Sequence, residues 1–106
     1  MNLARLPPLG QKAARPVNGT RAGIAHMLRV KALRCVICHR PGPSEAHHCR
    51  SGGMARDDFK TIPLCFACHR GPDGYHTRKR QWEAENGPDH EYLAVVADML
   101  AGDLTP

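Results

Sequence analysis

The segment from residue 21 to residue 33 spaces its apolar side chains in the manner of an α-helix. The apolar residues with this spacing are Ile24, Met27, Leu28 and Ala32. They predict a short helix that leads into the first pair of cysteines, and we interpret His26 as an ordinary residue of that helix. Residues 1–20 contain three prolines and two glycines among dispersed cations, show no sustained period, and predict an extended arm.

Two later segments also have helical patterns. Residues 76–86, HTRKRQWEAEN, predict a helix that ends before Gly87 and Pro88, because glycine and proline are common just past a helix end. Residues 91–100, EYLAVVADML, predict an amphipathic helix that covers the core. Trp82 lies in the first of these helices, and we interpret it as an anchor of the core.

Turn-rich pieces separate the first helix from these two and leave room only for short strands. We predict one strand over residues 46–49 and an extended piece at Thr61–Leu64. Pro63 has no backbone N–H to donate, so this second piece cannot occupy a central position in a sheet. Short strands flanked by helices predict a small α+β fold.

The size and composition of the chain favour one domain with a small core. The chain has 106 residues, of which 5% are aromatic, so the core needs further cross-linking to be stable. It has no apolar run long enough to span a membrane and no secretion signal after Met1, so we expect a cytoplasmic protein with no membrane partner. In that reducing compartment, cysteines are more often metal ligands or nucleophiles than disulfide partners.

Charge is unevenly distributed along the chain. Residues 1–44 carry eight basic and no acidic side chains, residues 45–82 carry seven basic and four acidic ones, and residues 83–106 carry six acidic ones and no Lys or Arg. A basic arm beside a weakly basic centre suits a polyanionic partner, because each neutralised phosphate releases counterions. Arginine binds phosphate well but is also enriched by a high-GC genome, so composition alone leaves a nucleic-acid partner undecided.

The strongest pattern is a pair of C-x-x-C sequences. Their cysteines are Cys35, Cys38, Cys65 and Cys68. Two residues between thiolates let a tight turn aim both sulfurs at one ion, and two such turns complete the tetrahedron that Zn²⁺ prefers. A closed four-sulfur shell has no open coordination position, which predicts a structural zinc site. A redox role is the alternative, but the accompanying βαβ pattern is absent, and Cys49 is interpreted as a small buried residue.

Four histidines lie near these cysteines in the sequence. They are His47, His48, His69 and His76. Neutral imidazole is a good ligand for divalent metals and a base that titrates near neutrality, and both properties suit the activation of water. Adjacent residues of an extended segment point in different directions, so one histidine of the His47–His48 pair can bind a metal while the other contacts water or substrate.

The spacing between His69 and His76 disfavours a continuous helix if both bind one ion. Seven helical residues rise by about 10 Å, which is too far for a shared ligand set. The sequence RGPDG between them contains a proline and two glycines, and it predicts a reversal of the chain. The alternative is that His69 and His76 are separate surface residues, or that His39 and His69 simply neighbour the zinc.

The sequences CVICH, EAHHC, DDFKTIPLCFACHR and GYH resemble the HNH endonuclease family. The resemblance extends over residues 35–82, and it is nearest to small phage-encoded members similar to the recombination-enhancement nuclease. It implies a ββα-metal HNH core with a four-cysteine structural zinc, to which the sequence patterns described above add an extended basic N-terminal arm and flanking helices. The predicted parts are a basic arm at 1–22, a nuclease domain at 23–88, and a C-terminal helix at 89–106 packed on the core.

The resemblance also implies roles for single residues. His48 would be the general base that activates water, and His47 would bind the catalytic divalent ion together with His69 and His76. This ion would be Mg²⁺ or Mn²⁺, with Zn²⁺ as a further candidate, and cleavage would leave 5′-phosphate and 3′-hydroxyl ends.

The chain departs from the family at two positions. Asp58 stands where the family has an asparagine, and it either supports the loop or takes part in catalysis. The interval from His69 to His76 is longer than the family's spacing, so Asp73 is an alternative third ligand to His76.

Seven basic residues flank the motifs and are predicted to contact phosphates on either side of a cut. They are Arg50, Arg56, Lys60, Arg70, Arg78, Lys79 and Arg80. Each of them taken singly is equally well explained as solvated surface.

The predicted function is metal-dependent hydrolysis of double- or single-stranded DNA by a phage or prophage nuclease in the bacterial host cytoplasm. A recombination or packaging protein is a candidate partner. One alternative is a non-catalytic zinc module that binds nucleic acid or a partner protein, and another is a nuclease of the same fold that cleaves RNA.

Overall fold

The computed structural model describes residues 18–102 of the chain. It is a small mixed α+β fold with four helices and one two-stranded antiparallel sheet. The elements are α1 (Arg21–Lys31), β1 (Glu45–His48), β2 (Thr61–Leu64), α2 (Phe66–His69), α3 (Lys79–Asn86) and α4 (Leu93–Gly102), with 3₁₀ turns at Ser51–Gly53 and Asp89–Tyr92. Most of the predicted arm, including Arg5, Lys12 and Arg15, lies outside the described residues.

Helix α1 confirms the helix predicted before the first cysteine pair, but it buries a different face. Thr20 caps it by accepting a hydrogen bond from the backbone N–H of Gly23 at 3.0 Å. The buried positions are Gly23 and Val30, whereas Ile24 and Leu28 are 46% and 60% exposed. Gly23 faces inward because the start of the helix packs against Asp58, and a Cβ at Gly23 would lie 2.9 Å from Asp58 Oδ2.

The two strands pair antiparallel, with Glu45 opposite Leu64 and His48 opposite Thr61. Strand β1 begins one residue before the predicted strand and ends before Cys49, which is buried. Pro63 is tolerated in β2 because a two-stranded sheet has only edge strands. Every residue of β2 is buried, which makes this strand the centre of the core.

Helix α3 begins three residues later than predicted, because residues 76–78 form turns. Its predicted end at Asn86 is confirmed, and Gly87 follows with a φ of +85°. Trp82 is 3% exposed and its ring packs against Tyr75 and Tyr92 at centroid distances of 5.2 and 6.5 Å, so its predicted role in the core is confirmed.

Helix α4 covers one side of the core. It buries Val96 and Leu100, and it packs on β2 and α1. The predicted helix over 91–100 is therefore confirmed in its main part, with its first residues in the 3₁₀ turn that precedes α4. His26 of α1 packs its ring on Phe59 at 5.3 Å, away from the cysteine and histidine groups described below. Within residues 18–102, no helix combines the length and apolar character needed to cross a membrane.

Candidate metal centres

The four cysteines of the C-x-x-C pairs converge on one point, and we call them the four-cysteine site. Cys35 and Cys38 lie in the turn after α1, Cys65 is the residue before α2, and Cys68 lies within α2. Their sulfurs all lie within 4.8 Å of one another, with Cys38 Sγ and Cys65 Sγ 3.6 Å apart. Sulfurs bound to one zinc ion at about 2.3 Å are separated by about 3.8 Å, so this group could hold a zinc ion.

The first cysteine turn directs backbone N–H groups toward a cysteine sulfur. The N–H of Cys38 points at Cys35 Sγ at 3.5 Å, and His39 adopts a φ of +65°. Burial raises the pKa of the Cys35 thiol, but hydrogen bonds from the backbone N–H groups of Cys38, Cys65 and Ile37 lower it by more, to about 7. The pKa of the Cys68 thiol is instead raised, first by burial and then by the neighbouring Cys35, so a bound metal ion would have to displace its proton.

Three of the four predicted histidines also come together. His47, His69 and His76 each place a ring nitrogen within 4.8 Å of the others, and we call them the histidine cluster. Their ring centroids lie 4.7 to 5.2 Å apart. His47 is buried on β1, His69 ends α2, and His76 is exposed in the turn that follows.

The predicted chain reversal between His69 and His76 is confirmed, and it joins the two rings. Helix α2 ends at His69, and the backbone N–H of His76 donates to the carbonyl of His69 at 3.0 Å. The two Nε2 atoms are then 3.0 Å apart. Asp73 is not part of the cluster, because its side chain is 82% exposed and pairs with Arg78 at 2.5 Å.

Two histidines of the cluster each have one ring nitrogen within hydrogen-bond distance of a carboxylate. His47 Nε2 lies 2.7 Å from Asp89 Oδ2, and His69 Nδ1 lies 2.8 Å from Glu45 Oε1. His47 Nδ1 is buried and has no hydrogen-bond partner in the part of the chain that the structure describes. Histidines that bind metals usually donate their other N–H to a carboxylate, so this arrangement fits a divalent metal ion.

The protonation states also suit metal binding. Burial lowers the pKa of His47 to about 4, although Asp89 opposes this effect, and burial likewise lowers the pKa values of His69 and His76. Hydrogen bonds from Arg70 and then His69 hold the pKa of Glu45 at about 2 against the opposing effect of burial. At neutral pH the imidazoles therefore keep free lone pairs, and Glu45 remains an ionised acceptor.

His48 lies on the opposite face of β1 from His47. Its Nε2 is 2.7 Å from Asp58 Oδ1, and its side chain is 14% exposed. The backbone N–H of Gly19 donates to Asp58 Oδ2 at 2.7 Å, and this bond, followed by the one from His48, lowers the pKa of Asp58. Asp58 thus both anchors the start of α1 and orients the imidazole of His48.

An open cleft of about 420 Å³ adjoins the histidine cluster. Arg50, Tyr75, His76 and Lys79 line it together with Gly53 and Met54. Two of the seven predicted phosphate-contacting residues, Arg50 and Lys79, therefore lie beside the cluster.

The other five basic residues have different surroundings. Arg70 forms two hydrogen bonds with Glu45, and Arg78 pairs with Asp73. The remaining three, Arg56, Lys60 and Arg80, are exposed.

Sequence reasoning did not find the two carboxylates of the histidine cluster. Glu45 had a usable signal, because it lies two residues before His47 and so shares a strand face with it. Asp89 is 42 residues from His47 and had no local signal.

Comparison of the chain with protein-family models, with curated proteins and with solved structures finds no match. A function for these sites therefore depends on their own geometry and chemistry.

Proposed function

We propose that this protein is a metal-dependent endonuclease that hydrolyses DNA phosphodiester bonds by an HNH-like mechanism. The main support for the proposal is that the two adjacent histidines of β1 have different partners. His47 joins a three-histidine cluster on one face, while His48 is paired with Asp58 on the other. Metal-assisted hydrolysis needs a divalent ion and an oriented base, and in this proposal the adjacent residues His47 and His48 supply one ligand and the base.

The ligand atoms of the histidine cluster are imidazole nitrogens. Nitrogen ligands suit Mn²⁺ and Zn²⁺ better than Mg²⁺, which prefers oxygen ligands and keeps several waters. Of the expected ions, the proposal therefore favours Mn²⁺ or Zn²⁺. A divalent ion bound by His47, His69 and His76 would polarise a phosphoryl oxygen and stabilise charge on the leaving 3′ oxygen.

His48 is the proposed general base. Asp58 is an ionised acceptor, so the Nε2 of His48 carries its proton and Nδ1 keeps the lone pair. Nδ1 takes a proton from water as the water oxygen bonds to phosphorus, and the bond from phosphorus to the 3′ oxygen breaks. The 3′ oxygen then takes a proton from solvent, which leaves 5′-phosphate and 3′-hydroxyl ends.

Positive charge beside the cluster supports a polyanionic substrate. Arg50 and Lys79 line the cleft next to His76, where they can contact phosphates on either side of the scissile bond. Arg70 is held over Glu45 and compensates the negative charge of that carboxylate.

Plasmid nicking tests the proposal. Purified protein is stripped with EDTA, reloaded with one equivalent of zinc, and incubated with plasmid in Mg²⁺, Mn²⁺ or Zn²⁺. We compare His48→Asn, which can still bond to Asp58 but is a very weak base, with His39→Asn, a matched change at an exposed histidine that belongs to neither metal centre.

Cleavage that depends on a divalent ion, survives His39→Asn and falls by about 10²-fold or more in His48→Asn would support the proposal. Cleavage of RNA but not DNA would show that the substrate is RNA. DNA binding without cleavage under every metal condition would instead favour the non-catalytic zinc module.

A further inference from the structure

Asp89 is fully buried, and its carboxylate contacts His47 of the histidine cluster. Its Oδ2 lies 2.7 Å from His47 Nε2 and accepts the backbone N–H of Arg50 at 2.8 Å. Its Oδ1 accepts the backbone N–H of Ser51 at 3.0 Å. The loop after β1 thus holds both oxygens in place, and the direction of the carboxylate toward His47 is fixed.

This contact determines which nitrogen of His47 carries the proton. An ionised carboxylate only accepts hydrogen bonds, so the Nε2 of a neutral His47 must be the protonated nitrogen. Its Nδ1 then holds the lone pair, and Nδ1 is the buried atom that has no partner among residues 18–102. The His47 ring lies 5.0 and 5.2 Å from the rings of His69 and His76.

His69 has the opposite arrangement. Glu45 accepts from its Nδ1, so its Nε2 keeps the lone pair, and this atom lies 3.0 Å from His76 Nε2. The two carboxylates therefore select different nitrogens on the two rings, Nδ1 on His47 and Nε2 on His69.

We propose that Asp89 is a positioning residue that fixes His47 in the Nε2–H tautomer, so that Nδ1 is the atom offered to a divalent metal ion. This inference rests on the proposed function, because it concerns the metal site of that function. It adds a residue from the segment after α3 to a site whose other members come from β1 and the α2 region.

The first experiment is histidine ¹⁵N NMR of the intact chain with one equivalent of zinc, followed by titration with further Zn²⁺ as a diamagnetic probe. We expect the Nε2–H tautomer of His47 before and after titration. Added Zn²⁺ should shift the Nδ1 resonance of His47 and the Nε2 resonance of His69. An Nδ1–H tautomer of His47, or coordination through its Nε2, would overturn the proposal.

The second experiment compares Asp89→Asn with Asp98→Asn, a matched change on the exposed side of α4. In Asp89→Asn an amide NH₂ group replaces one of the oxygens that accept from His47, Arg50 and Ser51. We therefore expect binding of the second Zn²⁺ to weaken by about 10- to 100-fold, as is usual when a metal-binding histidine loses its hydrogen-bond acceptor. The control should bind normally. A folded Asp89→Asn with unchanged affinity and tautomer would contradict the proposal.

Because Asp89 also binds two backbone N–H groups, Asp89→Asn has a structural cost. If it does not fold, the wild-type spectra still decide the question. The two proposals also fail separately: Zn²⁺ bound through His47 Nδ1 without DNA cleavage would reject the nuclease and keep the role of Asp89. DNA cleavage by protein that binds Zn²⁺ through His47 Nε2 would keep the nuclease and reject the role of Asp89.

Discussion

Gly74 lies in the chain reversal between His69 and His76, and replacing it with alanine would test how that reversal assembles the histidine cluster. A Cβ at Gly74 would lie 2.6 Å from the carbonyl carbon of His69, and 2.8 Å from both the carbonyl oxygen of His69 and the nitrogen of Arg70. All three atoms belong to the backbone, so no side-chain rotation relieves the contact. Ordinary contacts begin at 3.4 Å, so the two sides of the reversal must separate by about 0.8 Å.

That movement exceeds what a metal site tolerates. Ligand distances in metal sites stay within about 0.2 Å of their ideal values. The reversal also contains the hydrogen bond from the His76 N–H to the His69 carbonyl. We expect Gly74→Ala to lower the affinity for a second divalent ion by about tenfold or more, and to cost about 1–3 kcal/mol of stability as an overpacked site does.

Calorimetric titration of Mn²⁺ or Zn²⁺ into protein whose four-cysteine site is loaded measures the affinity, and urea unfolding measures the stability. Gly102→Ala is the matched control, because a Cβ at Gly102 meets nothing within 4 Å. A Gly74→Ala protein with wild-type affinity and stability would refute the assignment of this reversal as the element that joins His69 to His76.

Three further predictions concern the two sites and the cleft. Zinc stoichiometry should fall from two to one in His76→Gln and to zero in Cys35→Ser, as measured by metal analysis after dialysis; a Cys35→Ser protein that keeps the second ion would contradict this order. The pKa of His47 is depressed to about 4, so its contribution to stability is complete above about pH 6.5 and is lost as the pH falls toward 4. The stability difference between wild type and His47→Gln, from urea unfolding without the second ion, should therefore shrink over that range, and a constant difference would argue against a neutral buried imidazole. If the protein binds DNA as proposed, Arg50→Gln should reduce the slope of log affinity against log salt by about 1, whereas Lys31→Gln on α1 should leave it unchanged; equal effects would exclude the cleft from the proposed DNA-binding surface.

Local sequence signals predicted much of this structure. The C-x-x-C spacing identified the four cysteines, because a tight turn is sufficient to bring each pair together. The proline and glycines after His69 predicted the reversal, since those residues act on the backbone at their own positions. The same local reasoning located α1 and the end of α3.

The features that the sequence did not reveal depend on distant contacts. Ile24 and Leu28 have a helical period, but Gly23 and Val30 form the buried face, because the packing of α1 on Asp58 sets its rotation. Asp89 approaches His47 only after α3 has returned the chain to the sheet. No periodicity or spacing within one segment encodes such a contact.

Helix α2 connects the four-cysteine site to the histidine cluster. It has only four residues, fewer than an isolated helix needs to be stable in water, and it begins directly after Cys65 and contains Cys68 and His69. Zinc bound by these cysteines would fix both ends of the helix and so hold His69 in place beside His47. We expect the reverse dependence to be weak, because Cys35 and Cys38 lie in the turn after α1, where the backbone N–H of Val36 donates to the carbonyl of Pro63 at 2.9 Å. The four-cysteine site is therefore the support on which the histidine cluster is assembled, which is why we expect its loss to remove both ions and the loss of His76 to remove one.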